Sequence, residues 1–208
     1  MFRGIVFDMD GTLIKWINSW DAIREKLGLP SNYKELIKTL GYREAKMLEL
    51  EHWKSRRIRK DEIDEALNSF EMQNGLMELM PELKKRFIIA VITGAPDVIA
   101  ERVGALLGID EVYCNRIVFD RDGYVNDFIL DIDEDNKGEV LRKFAKRHSM
   151  SEKEIIAVGD AGNDVSMFRV AGLSIAFNPK STRTANEARI KTQGDFVSVY
   201  DAIMDNLK

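Results

Sequence analysis

Gly4-Ile5-Val6-Phe7-Asp8-Met9-Asp10-Gly11-Thr12-Leu13 is the stretch on which the fold turns. Its apolar start reads as a buried strand over 4–8, because a short apolar run closed by polar residues suits a strand covered on both faces. Asp8 and Asp10 stand at i and i+2, so on an extended chain both carboxylates project to one side. Two such groups repel each other unless a cation or a shared proton offsets the charge. Carboxylates and backbone carbonyls are the hard oxygen ligands that magnesium prefers. Gly11 then permits a turn that a side chain would hinder. Taken alone, the pattern fits a solvated Asp-rich turn equally well.

Working outward, four more apolar runs end in small or polar residues, at 87–93, 111–114, 155–159 and 173–177. Helical stretches lie between most of them: 98–107 stops at Gly108, and 138–147 follows Asn136 with Glu139 set for a capping box. Strands alternating with helices imply a doubly wound, Rossmann-like parallel α/β sheet with its site at the strands' carboxyl ends. Residues 117–132 alternate around Asp122-Gly123 and read as a β-hairpin beside the third strand. From about 15 to 80 there is no convincing strand. Trp16, Trp20, Ile23 and Leu27 recur at helical spacing up to Gly28, and further helical stretches follow at 33–40, 42–57 and 61–70, the last with Asp61 as N-cap. The expected organisation is an α/β core of residues 1–14 and 81–208, with residues 15–80 inserted as an all-helical cap.

Chemistry gathers at the other strand ends. The run Gly159-Asp160-Ala161-Gly162-Asn163-Asp164 closes the 155–159 strand with a second acidic cluster, and a doubly wound sheet can set it beside Asp8. Thr93-Gly94 ends the second strand with a hydroxyl and an open amide suited to phosphate oxygens. Lys137 opens the helix before the 155–159 strand, where an ammonium can reach a phosphate. Each piece has a plain alternative, a turn or a solvated helix residue, but all four in this order at successive strand ends are hard to explain that way.

On these motifs the chain resembles the haloacid dehalogenase-like (HAD) hydrolases and, within them, the phosphoserine-phosphatase-like branch. The resemblance covers essentially the whole chain and implies a phosphatase. Asp8 would attack phosphorus and carry an aspartyl phosphate, Asp10 would act as acid and base, and Lys137 would neutralise the phosphoryl oxygens. It implies Mg2+ held by Asp8, Asp10 (through its carbonyl), Asp160 and Asp164, and phosphate held by Thr93, Gly94 and Asn163. Asp10 favours phosphoryl chemistry over carbon–halogen cleavage, because dehalogenases of the family usually lack that second acid. A phosphotransferase or mutase using the same intermediate, or an idle binding module, are the alternatives.

The substrate end departs from the nearest relatives. Phosphoserine phosphatases usually carry a cap glutamate shortly after the first motif, whereas 15–20 here read Lys-Trp-Ile-Asn-Ser-Trp, with no acid before Asp21. Thr93-Gly94-Ala95 stands where Ser-Gly-Gly is typical, so a related small phosphomonoester is as good a candidate as phosphoserine. Arg56, with Arg57, is a candidate for meeting a substrate carboxylate, although a basic run at 54–60 also reads as a solvated face. Trp16, Trp20 and Trp53 read first as core.

Composition closes off other classes. The 208 residues are 45% hydrophobic and carry a net charge of −4, which suits a folded core and gives no basic excess for nucleic acid. A single cysteine, Cys114, excludes an intrachain disulfide and a thiolate metal cluster, and the two histidines, His52 and His148, have no ligand-like spacing. No stretch approaches about 18 apolar residues, so a cytoplasmic protein with no membrane partner, acting on a small phosphorylated metabolite, is expected.

Overall fold

The computed structural model describes residues 1–30 and 32–207. Seven strands form one sheet: β1 (Gly4–Phe7), β2 (Ile88–Pro96), β3 (Glu111–Phe119), β4 (Val125–Ile129), β5 (Ile155–Gly159), β6 (Leu173–Phe177) and β7 (Ile190–Thr192). Their order is β4-β3-β2-β1-β5-β6-β7, and all pairings are parallel except β3 with β4. β1 is central, pairing Phe7 with Val91 on one side and Val158 on the other.

Alternate residues of these short strands feed two cores. Ile5, Phe7, Ile89, Val91, Ile156 and Val158 pack on one face, beneath α5 (Leu76–Lys84), α6 (Asp97–Leu107) and α10 (Phe196–Asp205). Val6, Ala90, Ile92, Ile155 and Ala157 pack on the other, against α7 (Lys137–Arg147) and α8 (Val165–Val170). A period of two with both faces apolar is what a sheet covered by helices on both sides requires. α9 (Thr182–Glu187) leads into the edge strand β7.

Between β1 and α5 lie α1 (Ser19–Lys26), α2 (Tyr33–Leu40), α3 (Tyr42–Ser55) and α4 (Lys60–Ala66). Their apolar residues Trp20, Ile23, Leu50, Trp53 and Ile63 join the first core rather than forming a separate one. Phe128 of β4 packs against both Trp20 and Trp53, with ring centroids 5.2 and 5.4 Å apart. The hairpin also bonds to this helical segment through its backbone, Lys60 N to Gly123 O and Val125 N to Ile58 O, each at 2.9 Å.

Three local expectations need correction. Helix α4 begins at Lys60 with Arg59 as N-cap, so Asp61 lies inside its first turn and accepts from Arg59 Nε at 3.0 Å. Asn136 precedes α7 but forms no side-chain cap. Its amide instead bridges Asp133 N and Asp131 O, bracing the loop that delivers Lys137. The third strand does not stop at Cys114: β3 runs on to Phe119 and is itself one arm of the hairpin. No described helix is long and apolar enough to cross a membrane.

Candidate active site

The parallel register sets the site. Asp8 follows β1 and its N–H donates to Val158 O at 2.9 Å, which brings it beside the end of β5, where Asp160 and Asp164 follow. Two glycines allow this approach. Gly11 has φ +86°, and a Cβ there would overlap the Asp160 carboxylate; a Cβ on Gly159 would overlap Asp164. Alanine at either position would push a carboxylate out of the cluster.

Asp8, Asp160 and Asp164 are all buried, and one carboxylate oxygen from each lies within 4.8 Å of the others. Lys137, 0% exposed, sits between two of them, with Nζ 2.6 Å from Asp8 Oδ1 and 2.6 Å from Asp164 Oδ1. Its flanking carboxylates outweigh the cost of burial and hold its pKa above the ordinary lysine value. Asp164 Oδ2 accepts from the N–H groups of Asp160 and Ala161, at 2.8 and 3.0 Å, which ties the turn after β5 to itself.

Burial pushes Asp8 well above the usual carboxylate range; Lys137 opposes this, while Asp164 and Asp160 add to it. Burial likewise pushes Asp160 up to about 6, against the pull of Lys180. Three buried carboxylates meet only two lysines, Lys137 on Asp8 and Asp164 and Lys180 on Asp160, so the cluster is short of positive charge. Asp160 Oδ1 is moreover buried without a hydrogen-bond partner, although Oδ2 meets Lys180 Nζ at 2.7 Å. An all-oxygen cluster with an orphaned acceptor fits a divalent cation.

Asp10 is held differently. Ser19, at the start of α1, donates its N–H to Oδ2 and its hydroxyl to Oδ1, both at 2.6 Å. Burial raises the Asp10 pKa, and these two bonds pull it back. Thr93 is buried, with Oγ1 accepting from Ala95 N at 3.1 Å. Gly94 O accepts from Trp20 Nε1 at 2.8 Å and from the fully buried Asn115 at 3.0 Å, so the turn after Thr93 is fixed from two sides.

The groups expected at the site, Asp8, Asp10, Thr93, Gly94, Asp160 and Asn163, line one cleft of about 580 Å³, with Lys137 and Asp164 beneath it. Arg56 is not among them: it caps the carboxyl end of α3, is exposed, and lies outside the cleft. The end of a helix favours a basic residue in any case. The cleft adds residues not singled out beforehand, Arg24, Tyr33, Lys46 and Lys180. Lys180 had a legible signal, since it follows the carboxyl end of β6. Lys46 did not, because Lys46 and Glu49 look like an ordinary exposed i,i+3 pair on α3.

An open, doubly wound α/β sheet gathers three buried carboxylates and a buried lysine at the carboxyl ends of its strands, which is where such sheets hold their ligands. The profile of the haloacid dehalogenase-like hydrolases matches residues 5–169. The phosphoserine phosphatase of Methanocaldococcus jannaschii is 31% identical over 183 residues, 85% of each chain. That of Archaeoglobus fulgidus is 28% identical over 187 residues, 86% of this chain and 53% of its own longer one. A solved structure of a phospho-aspartyl intermediate analogue of phosphoserine phosphatase superposes with a TM-score of 0.83 at 26% identity, covering 98% of both chains. The chain belongs to the haloacid dehalogenase-like hydrolases, in the phosphoserine-phosphatase-like branch.

Proposed function

We propose that the protein is a magnesium-dependent phosphomonoesterase that hydrolyses a small phosphate ester through an aspartyl phosphate on Asp8. The observation that carries this reading is the buried Asp8–Lys137–Asp164 arrangement, with Asp160 alongside. Lys137 holds Oδ1 of Asp8, which turns the other oxygen to the task of nucleophile. That oxygen attacks phosphorus, the ester P–O bond breaks, and its electron pair leaves on the alcohol oxygen. Protonated Asp10 gives that oxygen its proton. Asp10 then takes a proton from a water molecule that attacks the aspartyl phosphate, releasing phosphate and restoring Asp8.

Residues Thr93, Gly94 and Asn163 hold the phosphoryl group, and Lys137 offsets its charge. Asp8, the Asp10 carbonyl, Asp160 and Asp164 would hold the magnesium ion, which supplies further positive charge next to the phosphoryl oxygens. Residues 15–80 act as a cap that closes one side of the cleft.

Ser19 tunes the acid. Its hydroxyl can donate to ionised Asp10 or accept from protonated Asp10, so it tolerates both states of the cycle. In Ser19→Ala the bond that lowers the Asp10 pKa is lost, and the acid keeps its proton to higher pH. The alkaline limb of the kcat profile is expected to move upward, with kcat reduced by roughly tenfold. An unmoved limb would remove Asp10 from the role of acid.

Metal removal has a signed effect on stability. Asp160 titrates at about 6 in the folded metal-free protein, against an unfolded value near 3.8. A raised carboxylate destabilises the fold as pH rises through that interval, because the unfolded chain gives up its proton first. A bound cation cancels the penalty. The gap in Tm between magnesium-loaded and chelator-treated protein is therefore expected to widen from pH 4 to pH 7. A gap independent of pH would count against these carboxylates as the metal site.

The direct test is a panel of phosphate esters incubated with magnesium and assayed for free phosphate. Release of free phosphate supports hydrolysis. Phosphate found only on an organic acceptor would identify a transferase, and a flat response to every ester would sink the reading.

A further inference from the structure

The wall of the cleft built by α1, α2 and α3 holds two buried hydrogen-bond donors without a partner. Arg24, 4% exposed, uses its two terminal nitrogens on Asp21 and Glu49, while its Nε is buried without a partner. Tyr33, 6% exposed, has a hydroxyl that is likewise buried and unpartnered. Lys46 is fully buried, with Nζ 2.7 Å from Glu49 Oε2 and 3.3 Å from the centre of the Trp20 ring. Arg24, Tyr33 and Lys46 all line the cleft, whereas Glu49 stands behind them with one oxygen on Arg24 and the other on Lys46.

This wall is close to the phosphate end of the cleft. The indole whose face carries Lys46 donates its Nε1–H to Gly94 O, so a single tryptophan ring separates the ammonium from the Thr93-Gly94 turn. A ligand with its phosphate at that turn would bring its other end to Lys46, Arg24 and Tyr33.

Buried donors left unsatisfied cost stability that an incoming acceptor recovers. Carboxylate and hydroxyl oxygens are acceptors. Burial lowers the Lys46 pKa to about 7 against the pull of Glu49, and an incoming carboxylate favours its charged form. A ligand ammonium has only hydrogens to offer, and neither the guanidinium nor a charged lysine can receive them. The acids nearest to it here, Glu49 and the cleft-lining Asp21, already pair with Arg24 and, for Glu49, with Lys46 as well.

We propose that this wall reads the far end of the substrate and selects the phosphate ester of a hydroxy acid, bearing carboxylate and hydroxyl oxygens, over an ester bearing an ammonium. The proposal rests on the phosphomonoesterase reading above and names its substrate class. The other candidate reader is the Asp133-Glu134-Asp135 loop, which also lines the cleft and would suit the opposite charge.

Two probes differ at one group: 3-phosphoglycerate carries a hydroxyl where O-phosphoserine carries an ammonium. The expected result is a kcat/KM at least about tenfold higher for 3-phosphoglycerate. Lys46→Met should erase most of that preference through KM while leaving p-nitrophenyl phosphate, which has no such tail, within about threefold. Tyr33→Phe should weaken 3-phosphoglycerate and raise the Tm of the free protein, because it deletes an unsatisfied buried hydroxyl. Equal or better turnover of O-phosphoserine would overturn the proposal and favour the acidic loop. So would a Lys46→Met variant impaired equally on all three esters. Calorimetric binding of the two probes to Asp8→Asn protein with magnesium measures the preference in ground-state affinity without turnover. If none of the three esters were hydrolysed, the phosphatase reading would fall, and the binding ratio would still decide the selectivity.

Discussion

Asp8→Asn is expected to lose hydrolysis of every phosphate ester by about 10⁵-fold or more in kcat, the scale on which removal of a covalent nucleophile acts. The amide keeps the shape of the carboxylate but has neither its charge nor its reactive lone pair. The fold should survive. Burial and two neighbouring carboxylates disfavour the Asp8 charge in the metal-free protein, so neutralising it relieves repulsion, and Tm measured in chelator should hold or rise. A normal Tm with no turnover assigns the loss to chemistry. Turnover near the parent rate would show that Asp8 is not the nucleophile.

Lys137→Met is expected to combine a catalytic and a structural loss. The ammonium is fully buried between Asp8 and Asp164, and removing one member of a buried ion network strands the others. Such truncations cost about 3–5 kcal/mol, equivalent to a fall in Tm of roughly 10 °C for a domain of this size. The loss depends on pH. Without the lysine, Asp8 loses the charge that opposes its burial and holds its proton to still higher pH in the folded state, so the variant is penalised most where the unfolded chain is fully ionised. The Tm deficit should be large at pH 7.5 and shrink towards pH 5. Activity should fall by about 10³-fold at every pH at which the variant is folded, because the phosphoryl charge is left without its neutralising cation. A deficit in Tm that does not narrow on acidification would mean that packing, not charge, is what Lys137 supplies.

The gathering of the candidate site was legible because its residues sit at strand ends. Asp8, Thr93 and Asp160 each close a short apolar run of the length of a covered strand, and the parallel order follows from the intervening helices. Lys137 could be read from its place at a helix start. What stayed hidden depended on partners remote in sequence. Asn115-Arg116 looks like a polar break that should end a strand, yet Asn115 is buried because it bonds Gly94 and both backbone groups of Ile132. β7 is three residues long, below the length at which alternation carries information. Lys46 lies on α3, Arg56 caps its carboxyl end, and both are basic. Only packing against α1 and α2 decides that the first is buried in the cleft and the second faces solvent.

The ion pair joining Lys137 to Asp8 spans 129 positions of the chain. Closing a loop of that length is opposed by chain entropy until enough long-range contact has formed to hold it. Catalytic competence is thus a late event in refolding: helices α1 to α4 can form locally, but turnover must await docking of β5 and α7 beside β1. Recovery of ester hydrolysis after dilution from denaturant will consequently track completion of the central sheet and lag behind the return of helical circular dichroism.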